Sequence, residues 1–190
     1  MAGPPTRAHD QDDRHVLRAA FRERRDRFVR EGGAPFSIAP ALSELLVAAG
    51  CVGSYSAMGS EVDPGVVTSS LPALGLPRID RIMTFHRWTE GDQLERARLN
   101  FRQPLATAIE VTPDLVLTPL IAFDRAGNRI GQGAGCYDRY FAHNEKALRI
   151  GLAWSLQEAA AVDIQPWDMP LDAIATEAEW IIPLKSRLQS

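Results

Sequence analysis

Between Phe123 and Asp138 the chain reads Phe-Asp-Arg-Ala-Gly-Asn-Arg-Ile-Gly-Gln-Gly-Ala-Gly-Cys-Tyr-Asp, and these residue types suit the capture of an anion. Gly131, Gly133 and Gly135 alternate with Gln132, Ala134 and Cys136. Glycine tolerates positive φ, so successive N–H groups can turn toward one negatively charged group and approach it closely. Arg129 places a cation ahead of the loop, and Asp138 places a hard oxygen after it. A cation, a ring of amides and a carboxylate are together what a nucleoside triphosphate with Mg²⁺ requires. The same stretch also suits a plain surface hairpin. Gly127 followed by Asn128 is a strong turn signal, and the later glycines can serve only to shape the loop. The Gly-x-Gly-x-Gly spacing is neither the dinucleotide fingerprint nor a P-loop, which ends in Lys-Ser/Thr.

Other reactive side chains are sparse. Cys51 and Cys136 lie far apart with no CxxC or paired-histidine spacing, so they read as free thiols rather than zinc ligands. Cys136 sits where a nucleophile would be useful, but no histidine lies nearby in sequence to activate it. Seven arginines (Arg14, Arg18, Arg22, Arg24, Arg25, Arg27 and Arg30) crowd one segment, interleaved with Glu23 and Asp26. Val16, Leu17, Ala20, Phe21 and Phe28 give that segment the apolar stripe of an amphipathic helix whose charged face is solvated. Lysine occurs only at Lys146 and Lys185, so a phosphate-binding cation here is an arginine. The net charge of −3 gives no global attraction for nucleic acid.

These residues must be positioned by an ordinary globular framework. At 190 residues, with 45% hydrophobic and 24% charged content, the chain suits one domain. A chain of that length buries about 70% of its unfolded surface. No run approaches the roughly 18 apolar residues of a membrane span. Residues 1–13 lack the apolar core of a secretory signal and read as a disordered leader ahead of a single domain over 14–190, which makes the cytoplasm the expected location.

The hydrophobic pattern predicts helices over 14–30, closed by Gly32 and Gly33, and over 37–49, closed by Gly50. A strand is expected over 51–57, a helix over 66–74, and strands over 76–79 and 81–88. Residues 89–110 read as a long polar excursion with a turn of helix around 92–97. Apolar runs at 114–118 and 120–123 have strand length and read as a sheet covered on both faces. A helix from Tyr137 to His143 and strands at 149–154, 173–176 and 180–182 complete the pattern. Strands alternating with helices predict an α/β fold: one three-layer domain with a mostly parallel central sheet flanked by helices.

Taken together, several motifs in order resemble the 5-formyltetrahydrofolate cyclo-ligase (methenyltetrahydrofolate synthetase) family. Phe123-Asp124, Gly127, Arg129, the glycine triplet and Tyr137-Asp138-Arg139 match its signature. Arg14 and Arg18 look like its basic opening, and Met58 with Glu61 like its folate-binding loop. Leu76-Pro-Arg78, Met83 with Phe85, and Gln103-Pro104 follow in family order. Asp114 to Pro119, then Asp168, Asp172, Thr176 and Glu177, extend the likeness from about residue 14 to residue 182. Five positions depart from it. Arg14 stands at a usual lysine, Cys136 at a common aromatic or histidine, Trp167 at a frequent histidine, and Gln132 with Ala134 differ from many members.

The resemblance implies an enzyme that uses ATP and Mg²⁺ to convert 5-formyltetrahydrofolate into 5,10-methenyltetrahydrofolate, ADP and phosphate through a phosphorylated formyl intermediate. It implies catalytic roles for Arg129 and Asp138. ATP would be held by Arg14, Arg18, Arg129, Ile130, Gly131, Gln132, Gly133, Ala134, Gly135, Cys136 and Tyr137. Mg²⁺ would be held by Asp138 and Asp168. Folate would meet Ser56, Glu61 and the loop from Gln132 to Cys136, with the Glu61 carboxylate accepting the N–H edge of the pterin. The expected partners are 5-formyltetrahydrofolate and ATP, with no nucleic acid and no membrane, for a monomer or weak homodimer. Two other readings stay open: a cyclo-ligase-like paralogue with another substrate, and a non-catalytic nucleotide- or RNA-binding protein on the same fold.

Overall fold

Consecutive apolar positions such as Leu115-Val116-Leu117 need cover on both faces of a sheet, and the computed structural model supplies it. The structure describes residues 7–98 and 100–189. In chain order the elements are α1 (Arg7–Arg30), α2 (Pro40–Ala48), β1 (Val52–Gly53), α3 (Gly65–Thr68), β2 (Leu74–Ile79), β3 (Met83–Trp88), β4 (Leu94–Arg96) and β5 (Arg102–Pro104). They continue as β6 (Glu110–Val111), β7 (Leu115–Pro119), β8 (Ala122–Phe123), β9 (Arg129–Ile130), α4 (Cys136–His143), β10 (Leu148–Leu152), β11 (Ala173–Ala175) and β12 (Trp180–Ile181).

Eight strands form one sheet in the order β12-β11-β10-β7-β1-β2-β3-β6. The run from β11 to β2 is parallel throughout, and β12, β3 and β6 add antiparallel edges. Side chains alternate across it. Leu115 and Leu117 point to the face covered by Leu42 and Leu46 of α2 and Val67 of α3. Val116 points to the other face, where Phe85 meets Tyr140 and Phe141 of α4. The Phe85 and Tyr140 rings pack edge to face at 4.9 Å. The result is the expected three-layer α/β domain. Among the described residues no helix is long and apolar enough to cross a membrane.

The chain winds outward in both directions from the centre of the sheet, because β2 lies on one side of β1 and β7 on the other. Ligands of open α/β sheets sit beyond the carboxyl ends of the strands at such a reversal. Here those ends are Tyr55 and Ser56 after β1 and Pro119 at the end of β7.

Several boundaries differ from expectation. Helix α1 begins at Arg7 rather than at residue 14, so the leader reading is left with residues 1–6, which lie outside the described residues. The segment at 92–97 contains no helix. Leu94–Arg96 instead pairs antiparallel with Arg102–Pro104, forming a separate hairpin ribbon from polar residues that show no strand alternation. The helix expected over 66–74 closes after Thr68, and the strand expected over 51–57 contracts to Val52–Gly53. The run at 120–123 does not join the central sheet. Ala122–Phe123 pairs with Arg129–Ile130 in its own two-stranded ribbon. On α1, Leu17 and Phe21 pack on Ala122, Ile130 and Val162 as the stripe predicted, but Val16 is 67% exposed and Ala20 is exposed. The buried line includes Arg25 instead, at 4% exposure.

Candidate functional site

The turn signal at Gly127 and Asn128 does close a hairpin, and that hairpin aims the site. Asp124, itself buried, accepts from the Ala126 and Asn128 N–H groups through Oδ1, at 3.0 Å each. Its Oδ2 accepts from Asn128 Nδ2 at 2.9 Å and from the Val162 N–H at 3.0 Å. With the turn held, β9 leads straight from Arg129 into the glycine loop and then α4. Gly133 (φ 104°) and Gly135 (φ 62°) take the left-handed region, and Gly135 is the N-cap of α4 with no side-chain cap. The first N–H groups of a helix have no partner within it and carry the positive end of its dipole, so this end of α4 favours an anion.

Beyond the loop lies a cavity of about 340 Å³. Its lining brings together every residue expected to act: Arg14 and Arg18 from α1, Ser56 and Glu61 from the loop after β1, the run Arg129 to Asp138, and Asp168. Part of the lining is cationic. Arg18 Nε donates to the Gly131 carbonyl at 3.0 Å. Burial pushes its guanidinium pKa down, and the neighbouring Arg14 and Arg22 push the same way against Asp168. An arginine remains charged regardless, so the shift records a place short of negative charge. Arg14 donates through its terminal nitrogen to Asp168 Oδ2 at 2.5 Å and to the Asp163 carbonyl, while its buried Nε has no partner.

Arg129 is placed differently from these two. It is 8% exposed, donates to Asp138 Oδ1 at 2.7 Å and to the Met169 carbonyl, and lies over the Phe141 ring at 5.7 Å. These contacts fix both Arg129 and Asp138 at the cavity wall. Asp138 Oδ1 also accepts from the Met169 N–H at 3.2 Å, and Asp168 Oδ2 accepts from the Gln165 N–H at 2.8 Å. Among the described residues, Asp138 Oδ2 and Asp168 Oδ1 accept no hydrogen bond, so each carboxylate keeps one oxygen available. No group of three or more metal-ligating side chains occurs among the described residues. Two open carboxylate oxygens nevertheless fit Mg²⁺, which is held by one or two carboxylates, water and substrate phosphates rather than by a full protein cage.

The same lining includes apolar side chains and one buried carboxylate. Tyr55, Pro77, Ile79, Met83, Phe101 and Tyr137 belong to it. Burial pushes the Tyr55 and Tyr137 phenols up, which keeps them neutral donors. Glu61 Oε2 accepts from the Met58 N–H at 2.9 Å, and Oε1 accepts from Gln132 Nε2 at 2.7 Å. Ser56 commits its hydroxyl to the Arg102 carbonyl at 2.8 Å, tying the β4–β5 ribbon to the cavity rim. Burial raises the Cys136 thiol pKa against the opposing pull of Arg139. That direction works against a nucleophilic thiolate at this position.

Two residues that matter to the site escaped notice as such. Arg22 donates to Gln132 Oε1 at 2.7 Å. Arg25 donates to Ser60 Oγ at 2.9 Å and to the Leu120 carbonyl at 3.3 Å, and lies 4.0 Å from Glu61 Oε1. Both were counted among seven arginines on a solvated face. The readable signal was their spacing: Arg14, Arg18, Arg22 and Arg25 recur at intervals of four and three, on the same face as Leu17, Phe21 and Phe28.

Comparison with known proteins converges on one family. The family model for the 5-formyltetrahydrofolate cyclo-ligase family matches residues 66–177. The 5-formyltetrahydrofolate cyclo-ligases of Haemophilus influenzae and Escherichia coli (strain K12) are each 32% identical over 107 residues. Those alignments cover 53% and 52% of this chain and 57% and 59% of the relatives, so the chain spans less than two thirds of their length. Arg14, Arg18, Ser56 and Glu61 lie ahead of the span matched by the family model, and the cavity is what joins them to it. Among solved structures, the 5,10-methenyltetrahydrofolate synthetase of Aquifex aeolicus superposes with a TM-score of 0.71 at 24% identity, covering 92% of this chain and 94% of that one. That of Mycoplasma pneumoniae gives 0.56 at 18%, covering 87% and 99%. At those identities the likeness speaks for the fold. With the family model spanning more than half of the sequence and the fold agreeing along nearly all of it, the chain belongs to the 5-formyltetrahydrofolate cyclo-ligase family.

Proposed function

We propose that the protein catalyses the ATP- and Mg²⁺-dependent conversion of 5-formyltetrahydrofolate to 5,10-methenyltetrahydrofolate, releasing ADP and phosphate. The observation that carries the reading is one cavity whose lining combines arginines and the glycine loop with apolar side chains around a buried carboxylate. A triphosphate suits the first, and a flat heterocycle with an N–H edge suits the second.

The chemistry needs both substrates side by side, because an amide oxygen is a poor leaving group until it is phosphorylated. The formyl oxygen attacks the γ-phosphorus, a new P–O bond forms, and the bond to the β-phosphate oxygen breaks with its electron pair passing to ADP. N10 then attacks the formyl carbon and loses its proton, and the C–O bond breaks to release phosphate. Phosphoryl transfer of this kind is accelerated mainly by positioning and by neutralising charge. Arg14, Arg18 and the amides from Gly131 to Tyr137 hold and neutralise the triphosphate, with Ile130 and Cys136 shaping the loop. Arg129 contributes charge beside the loop and keeps Asp138 in place. The open oxygens of Asp138 and Asp168 would hold Mg²⁺, which would offset the negative charge that builds on the phosphates. Glu61 accepts the pterin N–H edge, and Ser56 and the loop from Gln132 to Cys136 frame the folate.

The test is a direct assay of purified protein with 5-formyltetrahydrofolate, ATP and Mg²⁺, following the methenyltetrahydrofolate absorbance band. Growth of the band that requires all three components is expected. ATP binding without any such growth would transfer the chain to a different substrate.

A further inference from the structure

Glu61 presents a difficulty to any ligand that would use it. Its side chain lines the cavity yet is only 2% exposed. A carboxylate oxygen has lone pairs for more than one donor, but a donor must first reach it. What covers it from the cavity side is Gln132, whose Nε2 donates to Oε1 at 2.7 Å. Gln132 is itself exposed and stands between Gly131 and Gly133, with open space beside Gly131. Its carbonyl oxygen is held from the opposite side by Arg22 at 2.7 Å. The remaining partners of Glu61 are the Met58 N–H, at 2.9 Å from Oε2, and the buried Arg25.

We propose that Gln132 is a latch: its side-chain amide occupies Glu61 as an internal stand-in for the ligand's N–H edge, and it must swing away before that edge can bind. The amide NH₂ group offers a carboxylate the same chemistry as an amino-heterocycle, a planar nitrogen donor. Flanking glycines leave the loop free to move it, and Arg22 sets how firmly it is held. Gln132 thereby sets the apparent affinity for folate without touching the reacting atoms. The inference rests on Glu61 being the anchor for the N–H edge. A site that must first release an internal partner binds more weakly by the fraction of molecules that are open.

The experiment is an equilibrium titration of 5-formyltetrahydrofolate, without nucleotide, into the full chain and its Q132A, R22A and E61Q variants, with ADP titrated in parallel. Q132A removes an exposed side chain and leaves no buried void. It is expected to bind 5-formyltetrahydrofolate about tenfold more tightly, the low end for a hydrogen bond to a charged group. R22A frees one end of the latch and should tighten binding by a smaller factor, while ADP affinity stays within about twofold in both, since neither variant alters the loop amides. Unchanged or weaker folate binding by Q132A overturns the latch. E61Q distinguishes the two levels of the argument: unchanged folate affinity in that variant removes the anchor itself, whereas weakened affinity there with no gain in Q132A removes only the latch.

Discussion

Arg25 and Glu61 form a pair whose removal has a calculable cost. Their side chains are 5% and 2% exposed and their charged atoms stand 4.0 Å apart. Two unit charges at that distance attract by roughly 4 kcal/mol at an effective dielectric of about 20. The hydrogen bonds from Arg25 to Ser60 and Leu120 add about 1 kcal/mol each. Arg25→Met keeps the apolar stem and deletes the charge, leaving a buried carboxylate without its nearest counter-charge, which costs about 3–5 kcal/mol. At roughly 2–4 °C per kcal/mol for a chain of this size, the midpoint should fall by about 6–20 °C. Glu61→Gln alone should cost less, because the amide oxygen still accepts from one of the two donors, Met58 N–H or Gln132, and Arg25 keeps Ser60 and Leu120. The discriminating assay is a double-mutant cycle by urea unfolding. If charge pairing dominates, the double variant recovers about 1–3 kcal/mol relative to the sum of the singles, the range seen for coupled neighbours. If the single costs simply add to within about 0.5 kcal/mol, the pairing argument is refuted and Arg25 is only a buried donor for Ser60 and Leu120.

Three further outcomes are expected. Asp138→Asn should lower Mg²⁺-dependent turnover by roughly 10- to 100-fold, the kinetic equivalent of one charge-assisted contact, and full retention of metal-dependent rate would remove Asp138 from the metal. Gly127→Ala should destabilise by about 2–4 kcal/mol, because φ is +87° and a Cβ would lie 2.7 Å from the Leu171 carbonyl oxygen; a melt within 2 °C or so of the parent contradicts this. All three tyrosines have phenols raised by burial, Tyr140 to about 12. Unfolded phenols ionise near about 10, so above that pH the unfolded chain binds fewer protons than the native one; the stability is complete below about pH 10 and is lost as pH rises toward about 12. Alkaline absorbance titration should show phenolate near pH 10 only in urea, and a native-state signal there would contradict the burial.

The glycine loop, its arginine and its aspartate are contiguous, and the chemistry of contiguous residues is legible without a fold. The alternation of apolar runs was equally legible for the parallel strands, since two buried faces leave no polar positions to interrupt Leu115-Val116-Leu117. What failed were short segments whose pairing, though nearby in sequence, carries no hydrophobic alternation of its own. Leu94–Arg96 became a strand because Arg102–Pro104 lies beside it, and Leu120–Phe123 left the sheet because Arg129–Ile130 offered a closer edge.

Residue types and motif order along the chain carried the resemblance to the family, local periodicity carried the α/β class, and together they named the side chains proposed to meet a phosphate. Only the tertiary structure decided what each arginine of α1 does. Arg14 and Arg18 meet the cavity, Arg22 meets Gln132, and Arg25 is buried against Glu61. On paper these are the same residue repeated along one helix. Charge, burial and partner belong to the place where each side chain lands, and that place is set by elements up to 154 residues away along the chain.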